Sequence, residues 1–132
     1  MSIINDRDYI YLVWKDYKTS QRYVIGKLSK NGKYQFEYRC EDVNKAIENG
    51  FEPLIAFPDI NKIYESYDIF PAFSSRLPDK RRKDVKEILS KYKLQKYDAF
   101  ELLKKSGGKL PTDSLEFIEP MFLENTNIKR RA

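Results

Sequence analysis

The densest positive cluster in the chain is Lys80-Arg81-Arg82-Lys83, directly after Leu77-Pro78-Asp79 where a loop is predicted to enter a helix. Four adjacent cations in such a place contact phosphate or an acidic protein face, or form a solvated surface. A second run with chemical potential is Ser106-Gly107-Gly108-Lys109. Two glycines ahead of a lysine expose backbone N–H groups that could hold an anion. However, a P-loop requires GxxxxGK[ST] between a strand and a helix, whereas this pair follows a predicted helix and leads into Leu110-Pro111. That order fits a helix C-cap better.

Catalytic chemistry finds little to work with. The sequence contains no histidine, so Ser-His and Cys-His nucleophile pairs are absent, and its one cysteine, Cys40, lies at a predicted strand end. The same composition leaves the usual zinc constellations and an intrachain disulfide without ligands or a partner. Adjacent carboxylates at Glu41-Asp42 are explained by the dipole and capping needs of a helix start rather than by acid–base work. No catalytic residue, metal site or cofactor is expected.

Aromatic residues offer one more route to binding. Trp14 with Tyr9, Tyr11, Tyr34, Phe36 and Tyr38 would form an RNA-stacking face if they shared an exposed sheet surface. Core packing is the alternative reading, favoured because a small sheet must bury one face to be stable.

The elements that position these residues follow from pattern. YIYLVWKD, Tyr9 to Asp16, reads as a strand, and RYVIGKLSKNGKYQFEYRC reads as two more joined at Asn31-Gly32, a pair suited to a tight hairpin turn. Val43, Ala46 and Ile47 repeat at helical spacing before Gly50. FEPLIAFP reads as a strand or extended segment ending at Pro58, and INKIYES and IFPAFSSRL admit helices, the latter with Pro71 in its first turn. Val85, Ile88, Leu89 and Tyr92 define one face of a further helix. Phe100, Leu102 and Leu103 define the next, with Asp98 as N-cap and Gly107 as the stop. Leu115, Phe117 and Ile118 close the pattern as a strand. The fold class is therefore α+β: a small antiparallel sheet, comprising an N-terminal three-stranded meander and further short strands, packed with three to five short helices.

Length and charge bound the rest. At 132 residues the chain is expected to form one domain over 1–120, followed by a flexible basic tail at 121–132 that includes Lys129-Arg130-Arg131. Aromatics at 14% argue for a folded core despite 34% charged residues. The net charge of +5, from 25 Lys plus Arg against 20 Asp plus Glu, favours acidic partners but is modest for a dedicated nucleic-acid-binding module. No apolar run approaches the ~18 residues of a membrane span, and the acidic MSIINDRDY start is unlike a signal peptide, so a cytoplasmic location is expected.

Three motifs carry a family likeness: Ile69-Phe70-Pro71-Ala72-Phe73, the following Arg76-Leu77-Pro78, and Asp98-Ala99-Phe100-Glu101-Leu102-Leu103 leading to Ser106-Gly107-Gly108. With the strand meander, this order resembles the N-terminal subdomain of HipA-type serine/threonine kinase toxins, including free-standing and HIRAN-associated versions from bacteria and their mobile elements, over roughly Tyr9 to Pro120. The resemblance implies a non-catalytic, antitoxin-like protein that binds and restrains a HipA-type kinase or another protein of the same operon, because nothing here matches the family's kinase machinery. It also admits a nucleic-acid-binding accessory or scaffold in a HIRAN-linked DNA-processing or antiphage protein. The expected partner surface is Phe70, Phe73, Arg76, Leu77, Lys80, Arg81 and Arg82. On the nucleic-acid reading it is Lys80, Arg81, Arg82 and Lys83.

Overall fold

A computed structural model describes residues 9–111 and 113–120, except for the side chains of Cys40 and Glu41. The tail expected at 121–132 lies outside the described residues. β1 (Tyr9–Lys15), β2 (Arg22–Asn31) and β3 (Lys33–Tyr38) form the meander, and Gly32 takes φ 80° at the hairpin tip where Asn31 faces Lys33. β4 (Tyr64–Ser66) and β5 (Leu115–Ile118) extend it to a five-stranded antiparallel sheet in the order β4-β3-β2-β1-β5. With α1 (Cys40–Glu48), α2 (Pro71–Ser74), α3 (Val85–Lys91) and α4 (Ala99–Ser106), the α+β expectation holds.

Strand alternation sorts side chains onto two faces. Ile10, Leu12, Leu28, Tyr34, Phe36, Tyr38 and Phe117 enter the main core, against which Trp14 also packs, while Val13, Val24 and Ile118 form a small second cluster with Tyr11. A bulge makes this possible. Leu12 faces Gly26 but Val13 faces Val24, leaving Ile25 as the extra residue; it turns to the main core, as the neighbouring Gly26 position also does, and Val24 then joins Val13 on the other face. The aromatic row considered for RNA stacking is thus split between faces. Trp14 stacks with Tyr23 at 5.9 Å, whereas Tyr9 and Tyr11 lie with Lys27 and Arg39 over their rings at 4.4 and 5.2 Å.

Several local expectations change. α1 buries Val43 and Ala46 but leaves Ile47 exposed, because Gly50, at φ 109°, turns the chain so that Phe51 returns to Ala46 and enters the core instead. FEPLIAFP forms no strand. It is pinned by Tyr38, whose hydroxyl donates to Phe57 O at 2.7 Å and accepts from Leu54 N at 2.9 Å. INKIYES is not helical: Asp59 accepts from Asn61 N at 2.9 Å in a side-chain turn, and Tyr64–Ser66 instead pairs with β3. α2 is a single turn with Pro71 at its start, as anticipated. α3 buries only Leu89, while Val85, Ile88 and Tyr92 are half-buried. α4 is capped as expected, with Asp98 accepting from Glu101 N at 3.2 Å and Gly107 left-handed at φ 81°.

Burial pushes the Tyr38 phenol up to about 12. The folded chain therefore holds this proton more tightly than the unfolded chain, so the contribution is complete below pH ~10 and is lost as pH rises from there towards the folded value. Tyr38→Phe is expected to cost about 1–2 kcal/mol near neutrality, and urea midpoints at pH 8 and pH 11 should show that difference shrinking at the higher pH.

Candidate partner-binding surface

The segment from Phe57 to Phe73 folds back over the sheet because its aromatics have nowhere better to go. Phe57 contacts Phe36, Tyr64, Phe70 and Phe73 at centroid distances of 4.7, 4.9, 5.1 and 5.3 Å, and Phe73 meets Phe117 of β5 at 5.0 Å. Phe73 is 2% exposed and Phe70 is also buried. Both were expected on the partner surface; the fold withdraws them into the core, where edge-to-face packing rather than binding accounts for them.

Arg76 requires the same correction. Its side chain is only 6% exposed and makes a bidentate pair with Asp113 at 2.7 and 2.8 Å. It also donates to Gly108 O at 2.6 Å and Leu115 O at 3.2 Å. β5 is an edge strand, and these contacts occupy its outer side: Leu115 O takes the guanidinium, Leu115 N donates to Asp113, and Phe117 N donates to Gly107 O. The guanidinium beside Asp113 holds that carboxyl below its ordinary value. Arg76 thus closes a sheet edge that would otherwise be open to pairing.

Beyond Arg76 the chain does reach solvent. Leu77 is half-buried against the core, and Pro78 O accepts from Tyr97 hydroxyl at 2.6 Å, closing the base of an excursion that holds α3. Lys80 to Lys83 lie on it, all exposed. Arg81 pairs with Asp79 at 3.0 Å and Arg82 with Asp84 at 2.8 Å, so half the cluster is locally neutralised. The Arg81 hydrogen bond is the main reason the Asp79 carboxyl falls to about 2. Lys80, Arg81 and Arg82 are thus exposed and follow the half-buried Leu77, whereas Phe70, Phe73 and the Arg76 side chain are buried.

The Ser106-Gly107-Gly108-Lys109 run is a cap. Gly107 N donates to Leu103 O and Gly108 N to Ser106 Oγ, so both glycine N–H groups are spent within the protein. Lys109 instead lies 3.8 Å from Glu116, at a groove of about 830 Å3 lined also by Lys15 and Arg22. Asp42 pairs with Arg39 at 3.2 Å, a structural use of that carboxylate.

Exposed apolar residues escape a reading of sequence pattern alone. Ile63 and Tyr67, the latter 83% exposed, flank edge strand β4, and Ile55 is 98% exposed on the preceding irregular segment. Once β4 is recognised as a strand, its flanking apolar residues are the signal. No helix among the described residues is long and apolar enough to cross a membrane.

A family model described as the HipA N-terminal domain matches residues 19–111, from the β1–β2 turn to the loop after α4. No curated protein and no solved structure matches the chain.

Proposed function

From the premise that the chain belongs to the HipA N-terminal domain family, we propose that it is a non-catalytic binding module that associates with and restrains a HipA-type serine/threonine kinase. The carrying observation is that the family match spans most of the core-forming elements, β2 to α4. A domain that packs on a kinase core in a fused chain retains a complementary surface when separate, which supports an antitoxin-like role. The contact surface on this reading is Leu77 with Lys80, Arg81 and Arg82, while the buried Phe70, Phe73 and Arg76 side chains serve the fold. Nucleic-acid binding in a HIRAN-linked protein is the second reading; Lys80 and Lys83, which have no ion pair among the described residues, favour it.

Co-expression with a HipA-type kinase encoded beside this chain tests the first reading. The two are expected to co-purify in a stoichiometric complex, and Lys80→Glu with Arg82→Glu is expected to weaken it about tenfold or more. A kinase that elutes alone while both proteins remain folded would refute it.

A further inference from the structure

Residues 79–96 hold eight Lys and Arg against three acidic residues, a net +5 that equals the charge of the entire 132-residue chain. Two of the three acids are spent, Asp79 on Arg81 and Asp84 on Arg82. Six exposed lysines remain, Lys80, Lys83, Lys86, Lys91, Lys93 and Lys96, with Glu87 the remaining acid of the segment. This excess is gathered on an excursion from the sheet, closed at its base by Tyr97 and Pro78.

A groove of about 560 Å3 lies along α3 and the turn after it, lined by Lys86, Leu89, Ser90, Lys93, Leu94 and Gln95. The turn builds it. Lys93 N donates to Ser90 O at 3.0 Å and Leu94 N to Leu89 O at 2.8 Å, the paired bonds of a Schellman ending that brings Leu94 back over Leu89. The left-handed position in such an ending ordinarily belongs to glycine, yet here it is Lys93, at φ 60°. A strained cation thus stands at the rim of an apolar floor, with Lys86 also lining it, an outlier of the kind that accompanies a binding role.

We infer that this groove docks an acidic segment of a partner protein, one that places an apolar side chain on Leu89 and Leu94 between carboxylates facing Lys86 and Lys93. The inference rests on the reading that the chain acts by binding a protein. Charge complementarity selects an acidic partner, and the apolar floor selects a polypeptide over nucleic acid. The arginines, whose forked donors suit phosphate best, are already paired with Asp79 and Asp84.

The test titrates the full chain, by amide chemical shifts, with a synthetic peptide of leucine flanked by glutamates and separately with a DNA duplex. The expected result is saturable peptide binding with shifts confined to Lys86–Gln95, weakened about tenfold by Lys86→Glu with Lys93→Gly. Lys93→Gly alone should leave the urea midpoint unchanged or raise it, since glycine suits the left-handed turn, while still weakening the peptide; a purely structural lysine would not separate these readouts. Absent peptide binding, or duplex binding at the same residues in its place, overturns the inference. In the kinase co-purification, a complex that survives the double substitution overturns the groove and leaves the kinase reading standing. Saturable peptide binding by a chain that retains no kinase does the reverse.

Discussion

Arg76→Ala is expected to destabilise the fold by about 2–4 kcal/mol, read as a lower urea midpoint with an unchanged slope. The guanidinium is buried and serves three partners, so its removal strands the Gly108 and Leu115 carbonyls as well as Asp113. The range sits below that for a fully buried pair because the Asp113 side chain is 35% exposed and water can replace part of the loss. Arg76→Lys should recover little, since an ammonium cannot reproduce the two-toothed pair with Asp113 and also reach both carbonyls. Acid dependence follows from the lowered Asp113 carboxyl. Its contribution is present above the unfolded value near 4 and is lost as pH falls through the folded value, so the gap between wild type and Arg76→Ala should narrow in acid.

Gly26→Ala is the second large effect, for a reason of space. Gly26 pairs with Tyr38 across the sheet, and a Cβ on it would lie 2.7 Å from two ring carbons of Phe36. That ring cannot yield easily: it is fully buried and held by Tyr38, Phe57 and Phe73 at 5.1, 4.7 and 5.2 Å. Overpacking of this kind should cost about 1–3 kcal/mol, and Phe36→Leu alone should cost about as much through the cavity it opens. The two together should cost clearly less than their sum, because the smaller side chain clears the methyl group. Thermal melts of the four proteins in this cycle decide the point; simple additivity would mean that the ring moves aside freely.

These two sites also show where local pattern stops being informative. The hairpin at Asn31-Gly32, the Asp98 cap and the Gly107 stop depend on residues within a turn or two of one another, and they were legible in the sequence. Arg76 was not, because Asp113, which makes it structural, is 37 residues away. Read beside Phe-Pro-x-Phe it resembled an interface anchor. Phe70 and Phe73 misled in the same way: aromatic density marks an interface or a core, and only the return of the segment over Phe36 and Phe117 decides which. The stretch from Phe51 to Ile63 has no periodicity, since its order comes from Tyr38 and Asp59 side chains that replace a ladder. The basic run does lie in the loop that enters α3, and what the run alone does not show is that the flanking Asp79 and Asp84 pair with Arg81 and Arg82.

The segment Phe57 to Arg82 therefore divides at Leu77. Before it the chain builds the core and seals the edge of β5; after it the chain presents charge to solvent. A partner surface located beyond Leu77 is one that substitutions can probe without unfolding the protein, unlike Phe73 or Arg76.

Restraint of a HipA-type kinase is tested most directly by growth. Cells in which a HipA-type kinase encoded beside this chain arrests growth should resume dividing when the chain is supplied in equal amount, and should fail to do so when it carries Lys80→Glu with Arg82→Glu. Continued arrest with the intact chain, both proteins being soluble and folded, would contradict the account.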